Sequence, residues 1–180
     1  MQAQPEPDWA ERVRRLEDER DVTNLILGYG PAADAGRSEL AASRWLPEGV
    51  YDWDAASPAL PGRSAVEALL EGEPHQSFVR EGVAHVAGPP LVVVDGDTAR
   101  ALNYSLILRR DGDGYRVWRV SAGRWDLRRT EQGWQVVRRT NRLLDATGAG
   151  SSLFAESLPL SGSGLGDQSV VSGGPRRPGP

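Results

Sequence analysis

The 180-residue chain contains no cysteine, which excludes a disulfide, a thiolate nucleophile and a cysteine-ligated zinc. It has only two histidines, His75 and His85, too few for a three-histidine metal site. Chemistry without a metal or other cofactor is therefore the default. Lysine is also missing: all 21 basic residues are arginine, and with abundant Ala, Gly and Pro this reads as a GC-rich coding bias more than as a function. The 25 acidic residues leave a formal charge of -4, a field that gathers neither nucleic acid nor an anionic membrane. A neutral or weakly charged small molecule suits it better. No stretch approaches the roughly 18 apolar residues of a membrane span, and the first twenty or so residues lack the apolar core of a signal peptide, so the expected location is cytoplasmic. At 19.5 kDa the chain has the size of one ordinary domain.

Helical spacing dominates the first part. Asp8 followed by Glu11 makes a capping-box pattern, and Val22, Leu25, Ile26 and Tyr29 fall on one face, which predicts a long helix from Trp9 towards Tyr29. Gly30-Pro31 should kink or stop it, because Pro31 has no N–H for the Leu27 carbonyl and its ring crowds that oxygen. Asp34 then lies just beyond the break and Gly36 closes the turn. Ser38 predicts a second helix through Trp45 and Leu46, stopped by Pro47, and Val50 to Trp53 alternates like a short strand. Ser64 and Glu67 form a second capping box for a third helix, which Gly72 and Pro74 limit.

From Gly82 onward the pattern turns extended. Asp95-Gly96, Asp111 to Gly114 and Glu131 to Gly133 are hairpin signals separating strands at about 83–94, 98–110, 114–129 and 133–144. Strands longer than the usual five or six residues should bend strongly, and Pro89-Pro90 marks a bulge or an edge in the first of them. The expectation is an α+β domain over residues 1–145, with N-terminal helices packed in a curved antiparallel sheet. Residues 146–180 are rich in Gly, Ser and Pro and read as a largely disordered tail, in which Leu153, Phe154, Leu158 and Leu160 could dock on the domain.

Several segments, in order, resemble the SnoaL-like branch of the nuclear transport factor two-like superfamily. They are Tyr29-Gly-Pro-Ala-Ala-Asp34-Ala-Gly36, Gly62, His85 ahead of Val92-Val-Val-Asp-Gly-Asp-Thr-Ala99, Gly123-Arg-Trp-Asp126, and Gly133-Trp134 with Arg139. The resemblance spans residues 10 to 145 and implies a cone-shaped α+β barrel, together with a homodimer formed through the sheet. The superfamily includes dehydratases, isomerases, polyketide cyclases, epoxide hydrolases, a dehydrochlorinase and noncatalytic binding proteins, so function has to be argued from the site. Members usually carry an ordinary helical residue where this chain has Pro31 and a Tyr where it has Trp125.

His85 sits among Val83, Ala84, Val86 and Ala87, and strand alternation turns it to the same face as Val83 and Ala87. Dyad-type members of the superfamily pair a helix-end Asp with a sheet His, and here Asp34 and His85 stand 51 positions apart. A carboxylate on one ring nitrogen fixes the tautomer and favours protonation of the other. The plainer readings are a buried histidine satisfied by the backbone and a turn-forming aspartate. Tyr29 could donate a phenolic hydrogen bond to a substrate oxygen or be a core aromatic. Tyr51, Trp53, Tyr104, Trp118 and Trp125 are candidates for the wall of an apolar pocket. Alternation groups Val137, Arg139 and Asn141 on one face of the last strand, opposite Trp134, Val136 and Arg138, so Arg139 or Asn141 could polarise a substrate oxygen.

These residues describe a cofactor-independent acid–base enzyme of dehydratase, isomerase or cyclase type, acting on a hydrophobic, oxygenated, natural-product-like molecule. His85 moves the proton, Asp34 orients it and Tyr29 stabilises charge on oxygen. The alternative is a noncatalytic small-molecule-binding or assembly protein using the same pocket, which Asp34 and His85 facing apart would favour. An epoxide hydrolase would need Asp126 to point inward, and alternation sets it opposite Trp125.

Overall fold

The computed structural model describes residues 8–158. The first helix, α1 (Trp9–Leu27), is capped by Asp8, whose carboxylate accepts the N–H groups of Ala10 at 3.0 Å and Glu11 at 3.1 Å. Its buried stripe is Asp18, Val22 and Ile26 at four-residue intervals, while Trp9, Val13 and Leu16 stand in solvent. The carboxylate on that stripe is accounted for: Asp18 accepts both terminal nitrogens of Arg129 at 2.6 Å each and the Trp134 indole N–H at 3.2 Å.

The expected break at Gly30-Pro31 falls earlier, at Gly28. A short helix α2 (Tyr29–Asp34) follows, with Pro31 in its first turn, where a missing N–H is tolerated. Arg44 caps the junction, donating to the carbonyls of Leu25 at 3.1 Å and Gly28 at 2.8 Å. Gly36, at φ 67°, ends α2. The second predicted helix is shorter than its pattern. α3 (Ser38–Ala42) has Arg37 at its cap and no bond from the Ser38 side chain, and Trp45–Asp52 forms strand β1 instead. Pro47 is accommodated there because the pairing register shifts between Trp45 and Val50. After β2 (Leu60–Pro61), α4 (Arg63–Glu71) starts from Gly62 with no capping box, and Pro74 opens a separate helix, α5 (Glu73–Glu81).

Gly88-Pro89-Pro90 splits the long strand expected at 83–94 into β3 (Val83–Ala87) and β4 (Leu91–Asp95), both antiparallel to β5 (Thr98–Asp111). With β6 (Gly114–Thr130) and β7 (Gly133–Leu143) they give the order β2-β1-β7-β6-β5-β3, with β4 also on β5. The sheet is curved and does not close. One pair corrects the all-antiparallel expectation: β1 runs parallel to β7, which the helices and the whole meander between them permit.

The tail assignment from residue 146 also needs correction. Residues Ala149–Ser157 form α6, packed on β6 and β7. Gly150 is what allows it, since a Cβ there would lie 2.5 Å from the Leu143 carbonyl oxygen. Phe154 meets Tyr104 edge-on at 5.2 Å between centroids. Leu160 and the rest of the segment expected to be disordered lie outside the described residues. No helix among the described residues is long and apolar enough to cross a membrane.

Asp18 supplies a test of how α1 is held. Its bonds to Arg129 bring its carboxyl below the ordinary 3.8, so the unfolded chain takes up the proton first as pH falls. The stabilisation is complete above about pH 4 and fades below it. Asp18→Asn should lower stability by about 2 kcal/mol at pH 7 in urea unfolding, with the gap from wild type narrowing at pH 3.

Candidate active site

Asp34 ends α2 and His85 is the middle residue of β3, which lies on an edge of the sheet. The two elements touch along their backbones at Gly30, where a Cβ would overlap the His85 carbonyl oxygen. One turn further along, the Asp34 carboxylate takes two bonds from a single residue. Its Oδ2 accepts the His85 main-chain N–H at 2.8 Å and its Oδ1 accepts ring Nδ1–H at 2.5 Å. The first satisfies a donor that an edge strand would otherwise leave unpaired. The second puts a proton on Nδ1, so in the neutral ring Nε2 carries the lone pair. Both side chains are mostly buried, 17% exposed for His85 and 22% for Asp34.

The His85 ring borders a cavity of about 300 Å³ lined largely by aromatic and aliphatic side chains. Of the residues singled out from sequence, Tyr29, Tyr51, Trp53, Trp118, Arg139 and Asn141 reach this cavity. Two do not. Tyr104 is 58% exposed on the other face of β5 and packs on Phe154, because Asn103, Ser105 and Ile107 take the inward positions. Trp125 is fully buried beneath the cavity, its indole donating to Asn103 Oδ1 at 2.9 Å.

Arg139 reaches the interior for a reason that alternation misses. The β6–β7 register jumps from Asp126↔Arg138 to Leu127↔Val136, leaving Val137 as a bulge. Trp134 and Val136 therefore share the inner face with Arg139 and Asn141, while Val137 and Arg138 both face out, correcting the predicted grouping. A second bulge skips Trp118 between Ile107↔Arg119 and Leu108↔Val117, so Trp118 and Arg119 both reach the cavity. Arg119 donates to Asp54 at 3.1 Å and to the Trp53 carbonyl at 3.0 Å, holding the segment that carries Trp53. Asp126 faces away from the interior, bonded to Arg100 and Arg124.

Burial pushes the Tyr29 phenol well above its usual range; Tyr51 adds to this and the Arg139 charge opposes it. Tyr29 therefore keeps its proton. Tyr51 accepts from Asn141 Nδ2 at 3.2 Å.

The sequence reading missed His75 as a site residue. It comes from α5, donates Nδ1–H to the Leu70 carbonyl at 2.9 Å, and places its ring 5.5 Å from that of His85. Its Nε2 is buried without a partner among the described residues, and burial, then the nearby His85, keep its pKa below the ordinary 6.5. The signal was the three-residue spacing of His75 and Phe78, which puts both on the cavity side of one helix turn. Among the described residues no group of three or more His, Asp or Glu is placed to hold a metal ion.

This arrangement, a helix-end carboxylate clamping a sheet histidine at the mouth of an aromatic cavity, goes with a match to the SnoaL-like domain over residues 14–140. The chain belongs to the SnoaL-like family. The family includes cofactor-independent polyketide cyclases and isomerases. Among solved structures, an NTF2-like protein with a cystatin-like fold from Novosphingobium aromaticivorans is 41% identical, with a TM-score of 0.78 over 80% of this chain and 93% of that one. ActVI-ORFA from Streptomyces coelicolor shares the fold at 18% identity, with a TM-score of 0.61 over 69% of this chain and 96% of its own. A Catenulispora acidiphila protein solved in complex with S-DNPA does so at 21%, with a TM-score of 0.60 over 78% and 98%. No curated protein matches the chain.

If Gly30 sets the distance between α2 and β3, Gly30→Ala should cost about 2 kcal/mol of stability. It should also release the His85 N–H from Asp34. Amide hydrogen exchange at His85 should then accelerate more than at its neighbours on β5, and unchanged protection would show that Gly30 is not the spacer.

Proposed function

We propose that this SnoaL-like protein is a cofactor-independent acid–base enzyme that transfers a proton at a carbon next to a carbonyl in a hydrophobic, oxygenated small molecule. One observation carries the reading: His85 borders the cavity and is bonded to Asp34 through Nδ1, which leaves Nε2 as the ring nitrogen to act on a ligand. In this reading Nε2 removes the carbon-bound proton, and the Asp34 carboxylate balances the imidazolium that results. The Tyr29 phenol, held protonated by burial, donates to the oxygen on which negative charge collects. His85 then returns the proton to carbon or delivers it to a departing hydroxyl. Isomerisation, elimination of water and ring closure all share the first step. The bond between Asp34 and His85 favours this over a purely binding role, and the outward Asp126 disfavours an epoxide hydrolase.

The shared step gives an assay before the natural substrate is known. With a panel of aryl ketones and β-hydroxyketones in D₂O, the protein should catalyse exchange of the protons next to the carbonyl, followed by NMR. His85→Gln and Asp34→Asn should each slow exchange by roughly 10² to 10⁴ fold while the protein stays folded, and the double variant should be little worse than either alone. Exchange that is absent across the panel, or undiminished in His85→Gln, would overturn the proposal.

A further inference from the structure

The strands that line the cavity carry several arginines, and almost all have partners. On β7, Arg138 and Arg142 pair with Asp52 at 2.5 Å and 2.8 Å. On β6, Arg119 pairs with Asp54 at 3.1 Å. Arg139 is different. It is 4% exposed and borders the cavity, yet its Nε and Nη1 have no hydrogen-bond partner among the described residues. Three rings surround the guanidinium instead: Trp125 at 4.2 Å, Tyr29 at 4.4 Å and Tyr51 at 4.8 Å from its central carbon to their centroids.

We infer that the cavity binds its ligand as an anion, with Arg139 as the anchor for a carboxylate on a flat, apolar ligand body. The aromatic rings offset part of the desolvation of the guanidinium, but they carry no net charge, and a buried charge needs a counter-charge as well as acceptors. Among the described residues the cavity wall supplies no counter-charge; the oxygens it offers, the Tyr29 hydroxyl beside the guanidinium and Asn141 Oδ1, are neutral. Its lining residues include two arginines and two histidines and no aspartate or glutamate. Asp34 is engaged behind His85, and the phenol of Tyr29 stays neutral. A ligand carbonyl would satisfy one N–H and leave the charge standing. A carboxylate provides two acceptors in the geometry of the guanidinium fork and balances the charge. The -4 charge of the whole chain suggested a neutral ligand, but the charge lining the cavity has the opposite sign. Tyr51, Trp53, Phe78 and Trp118 give flat walls for the remainder of the ligand.

The inference deepens the proposed function and rests on the same cavity, but it is tested by binding, so either can fail alone. The probes are benzoate and 2-naphthoate, each against its uncharged amide, titrated at pH 7 by calorimetry or ligand-observed NMR. On the wild-type chain each acid should bind at least tenfold more tightly than its amide. Arg139→Gln should abolish that preference with the fold retained by circular dichroism, and Arg139→Lys should keep part of it. Asp34→Asn, which disables proton transfer in the proposed mechanism, should keep the preference intact. The anchor is overturned if amides bind as well as acids, if neither acid binds at millimolar concentration, or if the preference survives Arg139→Gln. Should Arg139→Gln fail to fold, the acid–amide comparison on wild type and on Arg139→Lys decides. Loss of ketone exchange in Asp34→Asn alongside an intact acid preference supports both readings. Ketone exchange in wild type without an acid preference removes only the anchor.

Discussion

The contact of two backbones at Gly30 and His85 is the constraint on which the site depends. α2 is only six residues long, and a helix of that length has little stability of its own. It is held by what it buries, Tyr29, Gly30, Ala32 and Ala33, and by Arg44 closing the carbonyls at the α1–α2 junction. Because one residue in its first turn has no Cβ, the helix lies against β3 closely enough for a side chain as short as Asp34 to span the remaining gap. The carboxylate then does for an edge strand what a further strand would otherwise do, accepting its free N–H. The same geometry that completes the backbone bonding of β3 also fixes the imidazole of His85, so structural and chemical roles cannot be separated at this residue.

The sequence made this part of the molecule legible because its determinants are local or short in pattern. Helical spacing in α1, the helix-end position of Asp34 and the extended run around His85 each follow from a few neighbouring residues. What alternation could not foresee were the bulges. A strand period of two assigns faces only while the register holds, and single extra residues at Val137 and Trp118 reverse the assignment for everything on one side of them. Tyr104 was misplaced for a related reason: aromatic character alone does not say which face of a long strand it occupies.

Two other misreadings came from tertiary contacts outweighing local preference. Pro47 would stop a helix, but burying Trp45 and Leu46 draws the chain into β1 instead, with an irregularity that absorbs the proline. The composition around Gly150 resembles a linker, yet the glycine is the feature that lets α6 approach Leu143. His75 stayed hidden because its partners, the Leu70 carbonyl and the His85 ring, lie across a helix break and on a different strand. The three-residue spacing to Phe78 marks its face of α5, but no spacing rule connects His75 to these partners.

The cavity places its polar groups in two different electrostatic conditions. At the α2–β3 side, the Asp34 carboxylate is satisfied by two donors of His85, so the ring it orients is held from behind. At the β7 side, Arg139 holds a full charge softened by aromatic faces but not neutralised. Between them Tyr29 belongs to both: its ring stands over the guanidinium, and burial keeps its hydroxyl protonated. A ligand that neutralises Arg139 lowers the local positive potential next to His85. The charge of the bound ligand would then sit in the same poorly hydrated space as the Asp34–His85 pair, so charge placed at the β7 side is felt at the α2–β3 side through a Coulombic interaction little screened by water.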